Sequence, residues 1–125
     1  MLKLNFLNKK EKVGILTINI GIHNIICSFS YDKKTIWNTS SGQIIPKLKG
    51  RKKISNVAIE FITIQIVKFL KFHKYSDIDI QFFGSYTKRK SIVKKIFKSK
   101  INIKKIYDFT TIPHNGCKLK KRRRI

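Results

Sequence analysis

Between Val13 and Tyr31 the chain alternates apolar with small or polar residues, and that alternation limits what the rest can build. Leu16, Ile18, Ile20 and Ile22 fall on one side, with Thr17, Asn19 and Gly21 on the other. Successive side chains of extended backbone point to opposite faces, so a period of two predicts a strand with one buried face. The pair His23-Asn24 interrupts it. Ile25, Cys27, Phe29 and Tyr31 then alternate against Ser28 and Ser30, which predicts a second strand. "DKK" at 32–34 reads as a hairpin loop and "TIWNT" at 35–39 as a short third strand. Three strands in succession predict an antiparallel meander.

The period then changes. "SSGQIIPKLKGRKK" at 40–53 holds two glycines, a proline and five basic residues and reads as an irregular loop. From about Ser55 a helix is predicted. Asn56, Glu60, Thr63, Lys71 and Lys74 lie on one side, while Val57, Ala58, Phe61, Ile62, Phe69 and Leu70 occupy the rest. So wide an apolar face suits a helix packed on a sheet, and its β-branched residues leave tertiary packing to hold it. "SDIDIQFF" at 76–83 returns to period two. "GSYTKRK" turns into a second helix from about Lys88 to Ser99. Ile92, Val93, Ile96 and Phe97 form one stripe of it, Lys90, Lys94, Lys95 and Lys98 the other. "INIKKIYDF" at 101–109 is the last strand. The predicted order is β-β-β-α-β-α-β, an α/β chain with helices on a mixed sheet. Residues 1–12 read as a basic N-terminal extension, 13–112 as one domain and 113–125 as a basic tail, with no internal repeat.

Charge narrows the function. The 125 residues include 29 Lys and Arg against 6 Asp and Glu, a formal net charge of +23. Such a surplus repels itself in a compact fold, and a polyanion relieves it. Nucleic acid is favoured over a membrane: no apolar run approaches the roughly 20 residues of a spanning helix, and the cations are spread over several segments. Cys27 and Cys117 form no CxxC pair, and His23, His73 and His114 show no ligand spacing, so no metal or other cofactor is expected. "MLKLNFLNKKEK" lacks an apolar signal-peptide core, and a reducing setting is the default expectation. The bias toward Lys, Ile, Asn and Phe is that of an AT-rich genome, such as an organelle's.

Three segments carry the candidate contacts to nucleic acid, although the basic run of the tail, taken alone, reads equally well as a solvated tail or a localisation signal. In the tail, Lys118, Lys120, Lys121, Arg122, Arg123 and Arg124 crowd within seven positions; laid along RNA, each displaces condensed counterions. The arginines add planar forks that grip phosphate and stack on bases. Just before them, Pro113 keeps Ile112 extended and Asn115-Gly116 accepts positive φ, turning the chain out of the last strand and aiming the tail away from the core. His114 in that turn can stack on or donate to RNA, or simply face water. In the loop, Gly50 permits close backbone approach among Lys49, Arg51, Lys52 and Lys53. Lys88, Arg89 and Lys90 open the second helix, where free N–H groups favour a phosphate. Cations there oppose the helix dipole, an imbalance that a bound anion would reverse.

The end of the chain also carries a resemblance. "DFTTIPHNGCKLKKRRRI" is similar to the conserved C-terminus of the small-subunit ribosomal protein numbered eleven in the bacterial scheme. Asp108, Thr110, Ile112 through Cys117, Lys121, Arg122 and Arg124 occupy matching positions. "SSG" at 40–42, preceded by Trp37, resembles the family's Ser-Ala-Gly turn, and "LKGRKK" at 48–53 its Phe-Arg-Gly-Ser-Arg-Lys loop. At 82–91, "FFGSYTKRKS" keeps Gly84 and Arg89 but loses the family's other glycines; Leu119 and Lys120 replace two prolines, and of Asn-Asn-Thr only Asn24 remains.

The resemblance implies a three-layer fold with a ribonuclease-H-like motif. It also implies a structural role in the small-subunit platform, bound to rRNA near the E site and the mRNA exit path. Its protein neighbours would be numbers seven, eighteen and twenty-one, in a mitochondrial ribosome or else a plastid or bacterial one. The alternative is a free-standing nucleic-acid-binding protein or nuclease on that fold. Asp77 and Asp79 share a strand face, but two-metal sites need several converging carboxylates, and the other acids, Glu11, Asp32, Glu60 and Asp108, are scattered. No catalytic residue is expected.

Overall fold

The structure, a computed structural model, describes residues 13–44, 49–75, 77–121 and 124. Five strands form one sheet in the order β3-β2-β1-β4-β5. They are β1 (Val13–Ile20), β2 (Ile25–Tyr31), β3 (Lys34–Ser40), β4 (Asp77–Gly84) and β5 (Asn102–Asp108). The helices are a short α1 (Ser41–Ile44), α2 (Asn56–Phe72) and α3 (Arg89–Lys98), with a 3-10 turn at Gly50–Ile54. β1, β2 and β3 are the antiparallel meander expected from the alternation, and β4 and β5 add on parallel to β1. The hairpin after β2 is a two-residue turn. Asp32 and Lys33 take φ of 51° and 62°, and Tyr31 pairs with Lys34. Positive φ at both central residues matches the right-handed twist of the flanking strands.

Period two becomes burial directly. Leu16, Ile18 and Ile20 of β1, Ile25, Cys27 and Phe29 of β2, and Ile78, Ile80 and Phe82 of β4 lie on one face, all essentially inaccessible. Against them pack Ile59, Ile62, Ile66 and Leu70 of α2 and Ile92 and Ile96 of α3, in one continuous core. Each such side chain contributes about 1.5–3 kcal/mol by leaving water. Trp37 stacks on Phe69 at 4.8 Å, closing the β3 side of the core. Burial pushes the Cys27 thiol up to about 12, so it stays protonated and acts as a small apolar group.

Both long helices lie on the same face. Strand order advances in one direction from β1 to β4 to β5, so crossovers of one hand place α2 and α3 side by side. Lys95 of α3 pairs with Glu60 of α2 at 3.2 Å. The described residues therefore build two layers, a sheet and a helix layer. The mixed five-stranded sheet, the helices packed on it and the element order are those of the α/β fold expected from the sequence.

Two finer expectations change. Thr63, placed on the polar side of α2, is buried; its hydroxyl donates to Ile59 O at 2.6 Å and so needs no water. Phe97, placed in the apolar stripe of α3, is 72% exposed.

Candidate nucleic-acid interface

Topology places the three basic segments at one end of the molecule. β1, β4 and β5 run parallel, and β3 runs the same way because two antiparallel steps separate it from β1. The loop after β3, the turn after β4 and the tail after β5 therefore all leave the sheet at the same edge. An open groove of about 1060 Å³ lies there, lined by Gly21, His23, Ser55, Ser85, Lys88 and Lys120, among others.

The loop is pinned by Asn24. Its Oδ1 accepts from Ser41 Oγ at 2.6 Å, from Ile25 N at 3.0 Å and from Gly42 N at 3.3 Å. Beyond it, Gly50 takes φ of 57° with open space around its α-carbon. Lys49 and Lys52 are exposed and Lys53 is half-buried, its ammonium beside Gly42. Arg51 belongs to the 3-10 turn, and its side chain lies outside the described residues. Ser55 then caps α2, its Oγ accepting from Ala58 N at 3.4 Å. Lys88 Nζ donates to Ile54 O, which ties the head of α3 to this loop. Two basic segments far apart in sequence thus meet, with the positive dipole ends of α2 and α3 beside them.

Arg89 plays a different part from the one its position suggests. Nη1 lies 3.0 Å from Asp108 Oδ2, and Nη2 donates to Gly84 O at 2.7 Å and Thr110 Oγ1 at 2.6 Å. The guanidinium sits 4.2 Å from the centroid of the Tyr86 ring and 5.2 Å from that of Phe82. It is turned inward and holds the turn after β4 to the end of β5. The Arg89 guanidinium and the Thr110 hydroxyl and N–H hold the Asp108 carboxyl well below the usual carboxylate range. Gly84 completes the joint. With φ of 93°, a β-carbon there would stand 2.1 Å from Ile20 O. Lys90 remains exposed.

The tail begins as expected and then departs. Asn115 takes φ of 58°, and Pro113, His114, Gly116, Lys118, Lys120 and Lys121 are all exposed, as is Arg124. Instead of pointing away, the tail brings Leu119 and Lys120 to the groove wall. Arg122 and Arg123 lie outside the described residues. Ser41 and Thr110, the side chains that fix the edge, are not among the candidate contact residues named from charge. Their signal was there, in polar residues at the ends of predicted strands.

Among the described residues no three His, Cys, Asp or Glu side chains gather as a metal would need, and no helix is long and apolar enough to cross a membrane. A family model for ribosomal protein S11 matches residues 14–124, the domain and the tail together. The chain belongs to the ribosomal protein S11 family.

Relatives of the S11 chain come from organelles and bacteria. A small ribosomal subunit protein uS11m of Chondrus crispus is 33% identical over 95% of this chain and 100% of its own length. A uS11 of Carsonella ruddii is 30% identical over 92% and 97%. A uS11c of Euglena longa is 26% identical over 90% and 99%. S11 proteins are structural ribosomal proteins and not enzymes.

Proposed function

We propose that this chain is a structural constituent of the small ribosomal subunit that grips small-subunit rRNA at the carboxyl edge of its sheet. The observation that carries this reading is that Lys88 and Lys120 line one groove together with Ile54 and Ser55, which directly follow the basic loop at 49–53, beside the N-termini of α2 and α3. Lys49, Lys52, Lys53, Lys90, Lys118, Lys120 and Lys121 supply charge to phosphates, with Arg51, Arg122, Arg123 and Arg124. Gly50, Pro113, His114, Asn115 and Gly116 shape the approach, Lys88 links loop to helix, and Arg89 holds the edge in place. Family membership supports a position near the E site and the mRNA exit path, beside ribosomal proteins seven, eighteen and twenty-one. The uS11m relative and the codon-skewed composition support a mitochondrial ribosome.

Fractionation on a sucrose gradient tests the assembly: the protein should co-sediment with the small subunit, and its absence from that peak overturns the reading. Deleting residues 118–125 tests the grip. The domain stays folded, and affinity for rRNA loses about 0.7–0.9 from its log–log salt slope for each phosphate contact removed. An unchanged slope removes the tail from the interface.

A further inference from the structure

α2 ends in a second basic surface, remote from the groove at the carboxyl edge. Ser55, which lines that groove, and Phe72 stand at opposite ends of the helix, about 25 Å apart by the rise of an α-helix. At the far end an open cleft of about 580 Å³ is lined by Trp37, Gln65, Lys68, Phe69, Lys71 and Phe72. Its rings are linked. Trp37 lies on Phe69 at 4.8 Å and near parallel, Phe69 meets His73 at 4.5 Å, and His73 meets Phe72 edge-on at 5.1 Å. Trp37 and Phe69 are half-buried, whereas Phe72 is 82% exposed, held at its edge and otherwise open.

Lysines are set among these rings. Lys68 and Lys71 share the cleft wall, and Lys74 follows, exposed, just past the end of α2. Tyr31 meets Tyr75 at 5.9 Å, which sets the hairpin lysines Lys33 and Lys34 at the same end. Among the described residues none of these five cations forms an ion pair. Asp77 is taken by Asn102 and Lys104, and Asp79 lies on the other face of the sheet, opposite Lys105 in register. That leaves Asp32, in the hairpin turn, against five lysines. Uncompensated charge selects a polyanion, and bare rings between the charges select one that carries a flat apolar face beside each phosphate. A single RNA strand has both, whereas the bases of a duplex are already stacked on one another.

We infer that this cleft is a second nucleic-acid site. It takes an unpaired RNA strand, with a base stacked on Phe72 beside Trp37 and phosphates on Lys68, Lys71 and Lys74. The chain then bridges two stretches of RNA, one at each end of α2. The inference rests on the ribosomal reading for the source of that strand, but the cleft uses none of the three basic segments.

Trp37 is the only tryptophan in the chain, so its emission reports on the cleft. Titrating the full-length protein with single-stranded octauridylate should quench that emission saturably. Phe72→Ala should weaken the binding about tenfold. Lys68→Gln and Lys71→Gln should each take about 0.7 from its log–log salt slope. Glutamine at Lys118, Lys120 and Lys121 should leave the quenching in place, because that groove is at the other end of α2. Inorganic polyphosphate, which meets lysines but cannot stack, should leave the emission unchanged; this comparison needs only the parent protein and decides the matter even if a variant folds poorly. The inference is overturned by no quenching, by equal quenching with polyphosphate, or by quenching with phosphatidylglycerol vesicles and not RNA. Quenching lost with the tail lysines, or untouched by the three cleft substitutions, overturns it too. If the quenching holds but the protein is absent from the small-subunit peak, the ribosomal reading fails and the cleft remains.

Discussion

Arg89 at the head of α3 and Asp108 at the end of β5 are joined by an ion pair of 3.0 Å, and this pair closes the carboxyl edge of the sheet. Two groups that would each be read as solvent-facing are used to hold a loop to a strand. The guanidinium is planar and reaches two further acceptors, Gly84 O and Thr110 Oγ1, which lysine could not do with the same geometry.

Replacing Arg89 by Ala removes these bonds and the ring contacts with Tyr86 and Phe82. A loss of about 2 kcal/mol is expected, within the range for hydrogen bonds to charged groups. Arg89→Lys should recover only a small part. Urea unfolding of the purified chain measures both.

Asp108 makes the same joint sensitive to acid. Its carboxyl titrates lower when folded than when unfolded, so its contribution is complete above the unfolded value near 4 and is lost as pH falls toward the folded one. The parent chain should therefore lose stability more steeply below about pH 4 than Asp108→Asn, whose profile lacks this component. Unfolding midpoints across an acid series decide it.

Gly84 is not replaceable. A β-carbon 2.1 Å from a backbone oxygen, at a φ that side chains rarely adopt, forces β1 and β4 apart where their carboxyl ends meet. Gly84→Ala should cost about 3 kcal/mol or more and weaken rRNA binding with it. Gly50→Ala, with positive φ but open space, should cost about 1 kcal/mol. Comparing the two variants in one denaturation series separates collision from backbone preference.

The two thiols should react very differently. Cys117 is exposed, while Cys27 is buried with its thiol pushed up to about 12. A chromogenic disulfide reagent at neutral pH should titrate Cys117 at once and Cys27 only after denaturant is added. Prompt reaction of both would show that the β2 face of the core opens.

Much of the fold was legible because burial follows local period. Leu16, Ile18 and Ile20, or Ile78 and Ile80, announce their face without reference to anything distant. Thr63 was misplaced because a hydroxyl satisfied by its own helix looks polar in sequence and is not so in the core. Phe97 was misplaced because a helix period says which residues share a stripe, not how far the neighbouring layer extends. At the candidate site the basic segments could be read from charge, but their convergence depends on strand direction. Arg89 was the hardest, since its acceptors come from Gly84, Asp108 and Thr110, and only the β4–β5 pairing brings them together.

The parallel pairing of Val13 with Asp77 has a consequence for synthesis. As the chain leaves the ribosome that makes it, the meander emerges first, and its apolar side has no lid until α2 follows and no second flank until β4 is out. Vectorial emergence thus leaves a sticky half-sheet waiting on residues far downstream. A nascent-chain holdase, or slow decoding before residue 55, would alter the yield of this protein more than that of one built from neighbouring hairpins.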